Sequence, residues 1–100
     1  TGQAGFQVAA SLREDGFEVV GLEQTTDSEP LFTFSFAART AIVIGNERTG
    51  LTDDELARLD RVAEIPMAGM PHSLNAATST AIAVYEYCRQ WPRGGRGMPP

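Results

Sequence analysis

Two short loops contain the residues of this sequence that are best suited to binding a ligand. One loop runs from Ile65 to Asn75 and contains Pro66, Gly69 and Pro71. Glycine permits backbone conformations that are closed to other residues, whereas proline fixes φ and removes a hydrogen-bond donor. A loop stiffened in this way can hold its remaining N–H and C=O groups in one arrangement, as a ligand site requires. The alternative interpretation is a well-made turn without a function.

The second loop, residues 45–51, reads Gly-Asn-Glu-Arg-Thr-Gly-Leu and follows the apolar run Ala41–Ile44. A continuous apolar run is typical of a strand that is covered on both faces of a sheet. If this strand and the one before Pro66 are parallel neighbours, both loops leave the sheet at one rim. Ligands of open α/β proteins bind at that rim. The pattern therefore predicts a composite pocket made largely of backbone groups and small residues.

The elements that would position these loops alternate along the chain. Predicted helices cover residues 3–15, 53–59 and 75–90, and predicted strands cover residues 17–22, 41–44 and 61–65. Strands that alternate with helices indicate an α/β fold, in which a mainly parallel sheet carries helices on both faces. Residues 24–30 are polar and are predicted to form a loop.

Residues 31–36 alternate between apolar and polar types, with Phe32, Phe34 and Phe36 on one face. We interpret this segment as a half-buried edge of the sheet. Stacking platforms for nucleic-acid bases are the alternative, because aromatic rings can stack on bases.

The predicted helix at residues 53–59 begins with a capping box, in which Thr52 and Glu55 satisfy each other's backbone N–H groups. Its acidic residues therefore need no catalytic explanation. The last predicted helix is apolar on nearly every side, and a helix of this kind is expected to be buried on several sides. Either a dimer interface or a deep insertion into the fold would bury it.

The composition indicates one domain with a modest core, since the chain has 100 residues and 42% of them are hydrophobic. The net charge of −5 argues against a whole-surface grip on nucleic acid, although all eight basic residues are Arg, which suits planar local contacts. No apolar run or leading segment resembles a membrane span or signal peptide. Cys88 is the only cysteine and His72 the only histidine, so we expect no metal site and a reducing, cytoplasmic location.

Residues 44–51 and 65–82 strongly resemble the second and third motifs of SpoU/TrmH-type methyltransferases, which belong to the SPOUT superfamily. These enzymes transfer a methyl group from S-adenosylmethionine to a ribose 2′-oxygen of tRNA or rRNA. The resemblance covers about residues 1–91 and leaves residues 92–100 as a flexible Arg/Gly/Pro tail. It implies a C-terminal deep trefoil knot and a homodimer formed through the last helix, without metal or membrane.

The resemblance also implies roles for individual residues. Gly45, Ile65 and Leu74 match contacts to S-adenosylmethionine, and Met67 and Gly69 would line the same pocket. Backbone groups can read the edges of adenine, while apolar side chains can pack against its faces.

Three further residues, Glu47, Ser73 and Asn75, match motif positions that are associated with the RNA substrate and catalysis. Ordinary structural roles are open for all three. Ser73 or Asn75 would also serve as a helix N-cap, and Glu47 as a salt-bridge partner within its loop.

The first motif of the family contains an Asn and an Arg that are thought to assist deprotonation of the ribose hydroxyl. Residues 1–16 show no equivalent, so we expect these residues to precede the chain or to be missing. A ribose hydroxyl is a poor nucleophile without a base or a positive field. A non-catalytic SPOUT-like module that binds cofactor or RNA is therefore the alternative function.

Overall fold

The structure is a computed structural model that describes residues 9–45, 50–66 and 75–92. A first helix (α1, residues 9–14) precedes the sheet. The remaining elements, in chain order, are β1 (Glu18–Leu22), β2 (Glu29–Pro30), a 3-10 turn (Leu31–Thr33), β3 (Thr40–Ile44), α2 (Asp53–Ala57), β4 (Arg61–Glu64) and α3 (Ala76–Gln90).

The sheet has the strand order β2-β4-β1-β3, and every neighbouring pair is parallel. Val20 of β1 pairs with Ile42 on one side and with Arg61 on the other. The prediction of a mainly parallel sheet is confirmed. However, β3 and β4 are not neighbours, because β1 lies between them. Their carboxyl ends still share one edge of the sheet, as the predicted pocket requires.

Strand β1 is buried on both faces of the sheet. Its successive side chains point to opposite faces, and each face packs against other residues of the chain. Val20 belongs to one core cluster, which contains Leu31, Phe34, Phe36, Ala63 and Ala83 and lies under α3. On the opposite face, a Cβ added to Gly21 would lie 2.2 Å from Leu59 and 3.2 Å from Leu51. These two leucines flank α2, so each face of the sheet is covered by a helix-bearing segment.

The edge strand differs from the prediction. Pairing with β4 is made by Glu29–Pro30, which falls in the predicted loop, and the following residues form a 3-10 turn. Because three residues complete one turn of a 3-10 helix, the period-two alternation predicted from residue 31 does not hold at Phe32. Phe34 and Phe36 are buried, whereas Phe32 is 69% exposed.

The end of α3 binds the segment after this turn through side chains. The Gln90 amide donates to the Phe34 carbonyl at 2.6 Å and accepts from the Phe36 N–H at 2.8 Å. The Trp91 indole N–H donates to the Phe36 carbonyl at 2.6 Å, and the Tyr87 hydroxyl donates to the Ala38 carbonyl. These bonds satisfy backbone groups that no neighbouring strand reaches.

Helix α3 covers the sheet with one side only. Ala83 is its buried residue, whereas Ile82, Val84 and Tyr85 are 37%, 45% and 75% exposed. Of the two ways predicted to bury this helix, a deep insertion is not seen among the described residues, because a sheet offers one surface to a helix that lies on it. The dimer interface stays a prediction. None of the helices in the described ranges is long and apolar enough to cross a membrane.

Candidate functional site

A groove of about 1080 Å³ opens at the carboxyl ends of β1, β3 and β4. Its lining includes Glu23 after β1, Gly45 after β3, Ile65 after β4, and Asn75 at the start of α3. Three residues predicted from the sequence (Gly45, Ile65 and Asn75) therefore meet in one groove. Its volume lies slightly above the range of about 300–1,000 Å³ that small-molecule sites occupy.

Gly45 is required by a close approach of the backbone. A Cβ at this position would lie 2.5 Å from the Gly50 carbonyl carbon and 2.6 Å from the Leu51 nitrogen. No real Cβ atom tolerates such distances to rigid backbone. The two ends of the 45–51 loop are thus in contact, and the wall that they form presents backbone rather than side chains.

Ile65 joins the core to the groove. It is half-buried and packs against the core cluster beneath α3. The same residue lines the groove at the end of β4. An apolar side chain held in this way can pack against the flat face of a ring.

Asn75 is the N-cap of α3. Its Oδ1 accepts a hydrogen bond from the Thr78 N–H at 2.8 Å. The capping role weighed from the sequence is therefore confirmed, and the catalytic role stays a prediction. The cap bond uses only the oxygen, so the two donor hydrogens of the amide nitrogen are not part of it.

Glu47, Met67, Gly69, Ser73 and Leu74 lie outside the described residues, so their predicted roles stay predictions. Within the three described ranges, no group of three or more His, Cys, Asp or Glu side chains is arranged to hold a metal ion.

Carboxylates dominate the polar lining of the groove, which includes Glu23, Asp27, Glu29, Asp53, Asp60 and Glu64. The Arg61 guanidinium lies there too, but it donates two hydrogen bonds to Glu29 at 2.9 and 3.0 Å. This pairing lowers the pKa of Glu29 and raises the pKa of Arg61. The field of the described lining therefore suits a ligand with a positive group.

The family model described as the SpoU rRNA Methylase family matches residues 6–85 of the chain. The chain belongs to this family. The resemblance found in residues 44–51 and 65–82 is thereby confirmed.

Solved structures of SpoU proteins have the same fold. The TrmH/SpoU tRNA modifying enzyme of A. aeolicus superimposes with a TM-score of 0.76 at 30% identity, covering 90% of this chain and 46% of that one. The SpoU methyltransferase AviRb of Streptomyces viridochromogenes, in complex with the cofactor AdoMet, superimposes with a TM-score of 0.70 at 35% identity. That match covers 89% of this chain and 35% of AviRb.

Curated relatives of this SpoU chain carry names of RNA methyltransferases. The tRNA (guanosine(18)-2′-O)-methyltransferase of Escherichia coli K12 is 31% identical over 86 residues, which are 86% of this chain and 38% of that protein. The 23S rRNA (guanosine-2′-O-)-methyltransferase RlmB of Acinetobacter baylyi is 37% identical over 73 residues, or 73% of this chain and 29% of that protein. The chain thus spans less than half the length of both relatives.

The sequence analysis missed Glu23, which also lines the groove. The sequence did contain a signal for Glu23. Glu23 comes immediately after β1, just as Gly45 comes immediately after β3 and Ile65 immediately after β4. Only the strand order reveals that β1 ends between the two loops.

Proposed function

We propose that this chain forms part of an S-adenosylmethionine-dependent RNA methyltransferase that acts on a ribose 2′-hydroxyl of tRNA or rRNA. The observation that carries the proposal is the meeting of Gly45, Ile65 and Asn75 in one groove at the carboxyl edge of a SpoU sheet. The names of the relatives and the AdoMet-bound AviRb structure support the same reaction.

The described residues fit the cofactor. Gly45 presents backbone groups where a purine edge can be read, and Ile65 presents an apolar surface for its face. The carboxylates of the groove suit a sulfonium. When bound, S-adenosylmethionine supplies an electrophilic methyl group on a positively charged sulfur.

The protein must also position the substrate, so that the ribose 2′-oxygen lies in line with the methyl carbon. Asn75 is a candidate for this task, since it lines the groove and its oxygen is fixed by the Thr78 N–H, which leaves the amide nitrogen out of the cap bond. Glu47 and Ser73 are assigned to the same task by their motif positions alone.

A homodimer formed through α3 belongs to the proposal. Ile82, Val84 and Tyr85 give this helix an exposed apolar side that nothing in the described chain covers. A second copy would bury it. We also assign the C-terminal deep trefoil knot to this fold, on the resemblance of residues 65–82 to the third motif.

The first experiment is calorimetric titration of the chain with S-adenosylhomocysteine. We expect saturable binding, and we expect Leu74→Arg to abolish it by placing a charged side chain in the adenine site. Phe32→Arg is the matched control, because it adds the same charge at a side chain that is 69% exposed and outside the groove. Unchanged affinity in Leu74→Arg would remove Leu74 from the site, and no binding by the unaltered chain would contradict the proposal.

Turnover requires a second measurement, made on the full-length protein. We expect transfer of labelled methyl groups from S-adenosylmethionine to a tRNA or rRNA pool. Binding of S-adenosylhomocysteine without transfer to either pool would favour the non-catalytic module. The acidic lining of the groove favours the form of this module that binds the cofactor, because its carboxylates would repel an RNA backbone.

A further inference from the structure

We propose that Glu23 is a positioning residue of the cofactor groove: its carboxylate fixes Gly50–Leu51, the described end of the first loop, next to Gly45. The inference rests on the proposed function for its consequence, but its geometry stands on the described residues alone. Glu23 follows the central strand β1, whose neighbours β3 and β4 each end in one of the two loops.

Both carboxylate oxygens of Glu23 accept hydrogen bonds from backbone N–H groups. Oε2 accepts from the Leu51 N–H at 2.9 Å, and Oε1 accepts from the Gln24 N–H at 3.0 Å. The backbone N–H of Glu23 donates to the Ala63 carbonyl of β4 at 3.0 Å. A single half-buried residue therefore bonds the end of the first loop through its side chain and the strand before the second loop through its backbone.

The glycines of the first loop leave room for this contact. A Cβ added to Gly50 would lie 2.2 Å from Glu23 Oε2, and the φ of Gly50 is +66°, a conformation that side chains disfavour. Gly45 in turn packs against Gly50 and Leu51. The carboxylate thus fixes Gly50–Leu51, and Gly50–Leu51 fixes Gly45, which is the predicted cofactor contact.

A carboxylate suits this task better than a neutral side chain. A hydrogen bond to a charged acceptor is stronger than one between neutral groups, and two acceptor oxygens can bind two N–H groups at once. A glutamine keeps one acceptor oxygen for Leu51 but turns an amide N–H₂ toward the Gln24 N–H. Alanine loses both bonds.

The test compares Glu23→Ala and Glu23→Gln with the unaltered chain and with Glu14→Ala, a control that removes an exposed carboxylate on α1. Amide hydrogen exchange of Leu51, followed by NMR without any ligand, measures the hydrogen bond between Glu23 and the Leu51 N–H. We call this contact the clamp. We expect exchange at least about tenfold faster in Glu23→Ala, a smaller increase in Glu23→Gln, and no change in Glu14→Ala. Unchanged exchange at Leu51 would overturn the inference.

Calorimetry with S-adenosylhomocysteine then tests the consequence for the groove. We expect Glu23→Ala to raise the dissociation constant at least about tenfold and Glu23→Gln to raise it less. Equal losses of affinity in the two variants, with unchanged exchange at Leu51, would mean that the charge acts on the ligand directly, and would overturn the positioning role. So would an unchanged constant in Glu23→Ala. If the unaltered chain does not bind this ligand, the proposed function fails, and the exchange of Leu51 alone decides the clamp.

A double-mutant cycle with Gly50→Ala separates the clamp from general destabilisation. The added Cβ would collide with the carboxylate, so Gly50→Ala should raise the same dissociation constant. In the Glu23→Ala background that collision is gone, and we expect the combined loss to be smaller than the product of the single losses. Independent losses would contradict a direct contact between the two positions.

Discussion

At Asn75 one side chain combines a structural bond with a position in the candidate site. Its oxygen caps α3 by accepting the Thr78 N–H, and the residue lines the groove at the same time. The sequence left capping and catalysis as alternatives for this residue. The structure makes them compatible, because an amide has separate acceptor and donor atoms.

Replacement of Asn75 by Asp separates the two roles. Aspartate is as good an N-cap as asparagine, so we expect thermal stability to be preserved, whereas methyl transfer should fall because the donor N–H₂ group is lost. Asn75→Ala should lose methyl transfer and, in addition, about 1 kcal/mol of stability. Thermal denaturation and a methyl-transfer assay on both variants check this, and full activity in Asn75→Asp would leave the residue with the cap alone.

Among the structural elements, the segment from Leu31 to Ala38 shows where sequence patterns reach their limit. The β-branched residues of β1 and the apolar run of β3 predicted two strands, and both are present. The further prediction that residues 41–44 are covered on both faces is wrong within the described chain, because β3 lies at the edge of the sheet and all five of its residues are only half-buried. The alternation after Leu31 predicted an edge strand, yet Phe34 and Phe36 are held by Gln90 and Trp91 instead. Such bonds join residues more than fifty positions apart and leave no local pattern.

Gln90 is therefore expected to stabilise the fold although it is polar and lies at a helix end. Gln90→Ala would leave the Phe36 N–H and the Phe34 carbonyl without their partner, and we expect it to lower the free energy of unfolding by about 1–3 kcal/mol. Arg89→Ala is the matched control, because Arg89 is exposed and forms its ion pair with Glu86, a neighbour on the same helix in an i,i+3 contact. We expect it to change the free energy by less than about 0.5 kcal/mol. Urea denaturation of both variants decides between them.

For the molecule as a whole, the sequence predicted the fold class and three groove residues but not the strand order. Gly45 and Ile65 were found because motif and strand-end position coincide there, and Asn75 because its motif position coincides with the start of α3. Glu23 was missed because its importance depends on β1 lying between β3 and β4. Strand order is set by long-range packing, so an alternating pattern of helices and strands does not reveal it.

The exposed side of α3 makes a prediction at this scale. If a second copy covers it, Tyr85→Arg should convert a dimer into a monomer, because a charged side chain would be buried without a partner. Light scattering coupled to size-exclusion chromatography would measure the mass. Phe32→Arg introduces the same charge at a similarly exposed ring on the 3-10 turn rather than on α3, and should leave the dimer intact. A monomeric unaltered protein, or a dimeric Tyr85→Arg, would contradict the homodimer.

The contact between Glu23 and the glycine at position 50 also restricts how such proteins can be recombined. A chimera that receives the 45–51 segment of a homologue with a side chain at position 50 would bring that side chain against the carboxylate, unless residue 23 is exchanged with it. These two positions, twenty-seven apart along the chain, should therefore be transplanted as one unit. Among homologues, we therefore expect substitutions at positions 23 and 50 to occur together.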